Sequence, residues 1–352
     1  MTTATQTFDE IDKALLTEVQ RQFPVDHRPF HLLGEKLGIS EQECLERISR
    51  LKANKVIRQL SAIFDTRALG YQRTLAAMKV DPVRVDEAAE VINQHPGVSH
   101  NYKRNDPFNV WFTVEVPPSD SLEHVVSILH VLAKADETII LPTLRLYKTG
   151  VTLDFTDEDA PIESQGEISN EQRRTASKPT LTEQDIKFIR VMQEDLPTLE
   201  LPYGVLAEQA ETTEEALFAW SKKIERLGYL RRFAAILHHR NTGVIVNAMI
   251  VWQVPPEQVD PAGEQMALLR EVSHCSRRPV YPSWPYPLFT MIRGESRSAC
   301  MEVVKWIEAR VGRFPHKSLF NTKEYKKVRV KYFSPELDTW WSEVGSKVEL
   351  PK

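Results

Sequence analysis

The chain has 352 residues, 41% of them hydrophobic and 27% charged, with a formal charge of −4 at pH 7; this length holds two to four domains with their own cores, and the charge argues against nucleic acid as the main partner. No window approaches about 18 consecutive apolar residues, so no membrane-spanning helix is expected. The opening MTTATQTFDEIDK lacks the basic-then-apolar layout of a secretory leader, and Cys44, Cys275 and Cys300 lack metal-ligand spacing, which together predict a reducing, cytoplasmic setting.

Residues 8–55 read as a helix-turn-helix module. Ile11, Leu15, Leu16 and Val19 recur at the period of a helix. A short helix is predicted over Leu32 to Leu37, then a turn at Gly38-Ile39-Ser40. Ser40 and Glu43 have capping-box spacing and open a third helix that carries Cys44, Leu45, Ile48 and Leu51. Residues 56–153 alternate differently. Ile57 to Phe64, Thr74 to Val80, Val98 to Arg104, Asn109 to Val116 and Leu144 to Lys148 read as strands, with helices over Val85 to Asn93 and Leu122 to Ala133. That order matches a ferredoxin-like βαββαβ plait. Residues 154–179, with Phe155 the sole aromatic among many Glu, Ser, Gln and Asn, read as a linker. Residues 180–228 then repeat the helical module, through Val205 to Ala210 and Thr213 to Leu227. Residues 229–333 repeat the plait, and 334–352 form a C-terminal tail with Trp340-Trp341.

The repetition is visible in three blocks in the same order. Val56 to Phe64, followed by Gly70, is echoed by Tyr229 to Leu237, followed by Gly243. Gly97-Val98-Ser99-His100 is echoed by Glu271-Val272-Ser273-His274, and Pro107 to Trp111 by Pro285 to Phe289. The predicted fold is therefore α+β: two tandem repeats, each a winged-helix-like module followed by a plait. Plaits of this type pair through their sheets, which predicts an intramolecular pseudo-dimer, with homo-oligomerisation a further expectation.

Helix-turn-helix plus plait resembles the Lrp/AsnC transcription regulators over each half, and the alternative function is a DNA-binding regulator that senses a small ligand or heme. The charge placement opposes it. The recognition-helix positions begin with Glu41, Glu43 and Glu46 in one half and Glu211, Glu214 and Glu215 in the other. Carboxylates there suit the helix dipole and repel phosphate. Arg47, Arg50, Lys52, Lys222, Lys223 and Arg226 come only later.

Two segments carry the chemistry. In Ser99 to Phe112, a strand places His100, Tyr102 and Arg104 on one face at spacings of about 6.5–7 Å. In Ser273 to Phe289, His274 and Arg278 share a face, Ser276 stands where the first half has tyrosine, and Arg277 faces the other way. A proline-rich loop follows with Tyr281, Trp284 and Tyr286. Arginine forks bind carboxylates, aromatics on a stiff loop offer stacking faces, and histidine moves protons near neutral pH or ligates metal. The set suits a large, flat polycarboxylate. Arg58, Arg231 and Arg232 on the first strands are further carboxylate-binding candidates, Trp111 and Phe289 read as core, and His238-His239 as a solvated turn.

The motifs SHNYKRNDPFNVWF and SHCSRRPVYPSWPYPLFTMIRG resemble those of the siroheme decarboxylases, enzymes built on the Lrp/AsnC fold. The resemblance covers about Asp9 to Val330 and departs at Ser276 and Arg277. It implies loss of carbon dioxide from two acetate side chains of siroheme, giving 12,18-didecarboxysiroheme, in heme d1 or alternative heme synthesis. No cofactor is implied, because siroheme is the substrate and carries its own iron. His100 and His274 become proton donors or axial contacts to that iron, Tyr102 a supporting donor, and Arg104 and Arg278 carboxylate clamps.

Overall fold

The computed structural model describes residues 8–149, 180–237 and 246–350; the expected linker and the His238-His239 pair lie outside the described residues. The first half runs α1 (Glu10–Arg21), α2 (Pro29–Leu37), α3 (Glu41–Ala53), β1 (Ile57–Phe64), β2 (Gln72–Lys79), α4 (Val85–Asn93), β3 (Val98–Arg104), β4 (Phe108–Val116), α5 (Leu122–Ala133), β5 (Glu137–Leu141) and β6 (Arg145–Lys148). The second runs α6 (Glu183–Met192), α7 (Pro202–Gln209), α8 (Glu214–Arg226), β7 (Leu230–Leu237), β8 (Val246–Trp252), α9 (Val259–Ala267), β9 (Val272–Arg277), β10 (Leu288–Gly294), α10 (Arg297–Arg310), β11 (His316–Lys327) and α11 (Pro335–Glu343).

The helical modules and strands β1 and β7 make one compact unit. Ser40 Oγ accepts from Glu43 N at 3.1 Å to start α3, and Thr213 Oγ1 accepts from Ala216 N at 3.3 Å to start α8. Gly38 closes α2 with φ 70°, the left-handed region where a side chain is strained. The first strands are a correction to the expected plaits. β1 and β7 pair antiparallel with each other, Leu60 opposite Ala235 and Ala62 opposite Phe233. The backbone segments after α1 and α6 complete this ribbon crosswise, with Phe23 N donating to Phe233 O and Leu196 N to Leu60 O, both at 2.7 Å. The same burial pattern along both strands makes each the natural partner of the other. The unit boundaries consequently fall after residues 70 and 242, not at 56 and 229.

The other unit is built on a nine-stranded sheet of order β5-β2-β4-β3-β11-β8-β10-β9-β6. Four strands of each half form a plait, and the joint is β11. Its first residues, His316 to Phe320, ladder onto β8, and its last, from Asn321 to Lys327, ladder onto β3 of the first half. The last strand expected in the first plait is likewise corrected. β5 fills that position beside β2, and β6 crosses to pair with β9. Pro142, which has no N–H to donate, separates the two pieces. Each half thus lends the end of its last strand to the other.

Matching side chains fasten the two exchanges. Tyr147 donates to Asp260 at the start of α9, and Tyr325 to Asp86 at the start of α4. Lys148 Nζ donates to Leu269 O at 2.6 Å, and Lys326 Nζ to Asn93 O at 2.7 Å. Alternation sends Phe112 and Val114 under α4 and α5, and Ile250 and Trp252 under α9 and α10. The C-terminal tail closes the first of these cores: Trp340 is buried in it, and Trp341 Nε1 donates to Asp120 Oδ2 at 2.9 Å.

Trp340→Ala is expected to lower unfolding free energy by about 3–5 kcal/mol, as for other buried tryptophans, measured by denaturant titration. His95, against Trp340 with ring centroids 4.4 Å apart, adds a pH signature. Burial pushes its imidazole down to about 3 from 6.5, so the unfolded chain binds the extra proton. The stability that neutral His95 confers is complete above about pH 6.5 and is lost as pH falls toward 3. His95→Asn is expected to flatten that part of the stability profile.

Candidate active site

Helices cover one face of each plait, and the opposite faces share a single apolar cluster. Ala77, Trp111, Ile139 and Leu141 of the first half pack there with Met249, Val251, Trp284, Phe289 and Leu319 of the second. The side chains singled out from β3 and β9 lie on this helix-free face, because Asn101 and Cys275, the residues between them, point to the helix side and bond Ala89 O and Gly263 O. The centre of the face is filled. Its rim is open, and the His274 side chain, part of it buried, reaches solvent there.

Arg104 and Arg278 occupy matching places. Arg104 Nη1 donates to Leu319 O at 2.8 Å and Arg278 Nη1 to Leu141 O, so each reaches the last strand of the opposite half. Each lies over an aromatic ring, Trp111 at 5.7 Å and Phe289 at 5.4 Å. Burial drops both guanidiniums to about 10, and among the described residues neither has a carboxylate partner. The Nε of each is buried without a hydrogen-bond partner. A desolvated cation without an anion is unfavourable by several kcal/mol in general, and an incoming carboxylate would relieve it.

The histidines are also matched. His100 Nδ1 lies 2.9 Å from Ser99 Oγ, and His274 Nδ1 lies 3.2 Å from Ser273 Oγ. At His274 the ring nitrogen tied to serine leaves the other to face a ligand. Burial, with the charges of Arg293, Arg73, Arg278 and Lys148, holds the His274 pKa below its ordinary value. Tyr102 sits 6.1 Å from the His100 ring, and burial next to Glu324 lifts its phenol to about 12. At the second site Ser276 is buried opposite Phe289 and offers no phenol.

Two groups of candidates lie elsewhere. Arg58, Arg231 and Arg232 belong to the β1–β7 ribbon of the helical unit rather than to a plait, and Arg231 is paired with Asp65 at 2.8 Å. The proline loop also packs inward. Tyr281 and Trp284 exchange backbone hydrogen bonds in a tight turn, and Tyr281 Oη donates to Ile140 O at 2.6 Å. Trp284 is fully buried between Phe108, Trp111 and Tyr286, with centroids 5.1–5.4 Å away, so no ring face is left for stacking on substrate. Tyr286 stays half-buried beneath Lys317. Hollows of about 590 and 150 Å³ lie on the helical unit, and none of the candidate catalytic or substrate-binding residues lines them. Arg73, Arg293 and Glu115 were not singled out. Their signal was a charge difference between matched repeat positions.

The basic residues of α3 are held in ion pairs within the helical unit. Arg47 is tied to Asp9, Asp12 and Glu43, Arg50 to Asp12, and Lys52 to Asp195. A chain with two helix-turn-helix modules, two plaits and a cationic, histidine-bearing rim is a duplicated ligand-binding protein of the AsnC type. The AsnC-like ligand-binding domain matches residues 68–148 and 241–326, and the siroheme decarboxylase NirDL-like HTH domain matches 12–58 and 185–231. The siroheme decarboxylase of Hydrogenobacter thermophilus is 35% identical over 96% of this chain and 99% of its own. The crystal structure of the siroheme decarboxylase NirDL in co-complex with an iron-uroporphyrin III analogue superposes with a TM-score of 0.77 at 31% identity, covering 97% of this chain and all of that one. A siroheme decarboxylase alpha subunit from Nitratidesulfovibrio vulgaris is 42% identical over 43% of this chain and 85% of its own. The chain belongs to the siroheme decarboxylase family, in its fused single-chain form.

If Trp284 is core, Trp284→Ala is expected to destabilise the fold by about 3–5 kcal/mol and to shift the denaturation midpoint. A substrate-stacking ring would instead leave the midpoint in place and raise KM alone.

Proposed function

We propose that this chain removes carbon dioxide from acetate side chains of siroheme, leaving methyl groups, without an organic cofactor. The observation that carries the reading is the pair of guanidiniums, Arg104 and Arg278, largely buried on the helix-free face and, among the described residues, without a carboxylate partner. The family relationship and the tetrapyrrole analogue in the related crystal structure support the same ligand class.

Heterolysis of the bond between methylene and carboxylate carbons leaves its electron pair on the methylene. The conjugated macrocycle delocalises that pair, and one proton completes the methyl group. The protein's tasks are to orient the carboxylates, through Arg278 and Arg104, and to deliver the proton. His274 is the assigned donor at the second site and His100 at the first, with Tyr102 supporting His100. In the substrate-free protein, burial and the surrounding cations hold His274 neutral at pH 7. A polycarboxylate arriving among Arg293, Arg73, Arg278 and Lys148 offsets those charges, so the imidazole gains its proton as the substrate is seated.

Anaerobic incubation with siroheme should give a product lacking two carboxyl groups by mass spectrometry; an unchanged substrate mass would refute the activity. His274→Ala is expected to lower turnover by about 10²–10⁴-fold while the absorbance bands of bound siroheme persist. Altered iron bands would make it an axial ligand, and undiminished turnover would remove it from the chemistry; the same test applies to His100. Binding of iron uroporphyrin near pH 7 should take up a proton in the wild type and not in His274→Ala, read with a pH indicator in weak buffer.

A further inference from the structure

The two halves repeat the histidine and arginine of the helix-free face but differ in charge next to them. Thr113 and Glu115 of β4 correspond to Met291 and Arg293 of β10: Glu115 N donates to Gly97 O as Arg293 N does to Glu271 O. One strand over, Arg73 of β2 lies opposite Glu115, and Asn247 of β8 lies opposite Arg293. Where one half has an arginine and a glutamate, the other has an asparagine and an arginine. Duplicated structure preserves the backbone here, so the charge reversal is not required by folding.

The reversal concentrates positive charge on one side. Met291 is opposite His274 in the β9–β10 ladder, which puts Arg293 one same-face step beyond the imidazole and Arg278 on its other side along β9. Arg73 comes from the first half. It is held 3.4 Å from Glu115 with about half its side chain exposed, and its charge acts on both His274 and Arg278. The first-half face has the buried carboxylate of Glu115 at the place of Arg293 and Glu324 beside Tyr102. A ring edged with carboxylates is attracted to the former surface.

We infer that Arg73 and Arg293 anchor the carboxylate rim of the substrate, and that the rim around His274 is the face on which the anionic tetrapyrrole lands. Arg73 reaches it from the first half, so the second plait alone lacks part of its anchor. Glu115 acts as a positioning residue that aims the Arg73 guanidinium. This assignment rests on the proposed reading of the protein as acting on siroheme.

The test uses the full chain with Arg73→Gln, Arg293→Gln, and the corresponding lysine variants. Two readouts are taken: anaerobic turnover of siroheme, and absorbance titration with iron uroporphyrin, which needs no turnover. Each glutamine variant should raise KM and the titration Kd about tenfold with kcat within about threefold, the pattern of lost uniform binding. Lysine should recover most of the loss, and the two-arginine variant should show a weaker salt dependence of binding than the wild type. Wild-type Kd values, or kcat falling as far as kcat/KM with no rescue by lysine, would overturn the anchoring role. Wild-type protein that binds iron uroporphyrin in an arginine-dependent way but leaves siroheme intact would sink the decarboxylase reading and spare the anchor.

Discussion

β11 hydrogen-bonds to its own plait through its first five residues and to the other plait through the rest, while β6 returns the exchange. Every feature of the helix-free face depends on that crossing. It makes one sheet of two plaits and brings Ala77 and Trp111 against Val251 and Phe289. It also carries Leu141 and Leu319 to the guanidiniums of the opposite halves. Backbone ladders are strongly directional, so the register of β11 sets where Arg104 meets Leu319. Tyr147 with Asp260 and Tyr325 with Asp86 fasten the same exchange from the helix side.

A buried arginine that grips only a backbone carbonyl is an unusual use of charge. In a structural role, a neutral donor would hold Leu141 or Leu319 without the desolvation penalty of a cation. Retaining a full positive charge twice, at matched positions, makes sense when the missing anion arrives with a ligand. The helical unit shows the opposite habit. Its basic residues on α3 are paired with Asp9, Asp12, Glu43 and Asp195, carboxylates of the same unit.

The legible parts of the sequence were those governed by local physics. Helical periodicity located α1 and α3, and Ser40 caps α3 through Glu43 N, one half of the reciprocal pair that its spacing with Glu43 suggests, the Glu43 carboxylate going to Arg47. Period two placed His100 with Arg104, and His274 with Arg278, on common faces. The partner of a strand is not a local property. β1 looked like a plait strand because its alternation fits any half-buried sheet, and its ladder with β7 depends on the chain's other half. β5 was passed over because Pro142 truncates it to five residues. The loop around Trp284 showed the same residues whether its rings faced a ligand or the core, and packing against Phe108 and Trp111 decided the matter. Arg73 and Arg293 carry no recurrence signal in the sequence, because they stand where the two halves differ.

The account comes down to where the tetrapyrrole sits. A crystal structure of the full chain with iron uroporphyrin bound is predicted to show its carboxylates within hydrogen-bonding distance of Arg278 and Arg73, with the His274 ring facing an acetate carbon. A macrocycle lodged on the helical unit, with those side chains unengaged, would contradict it.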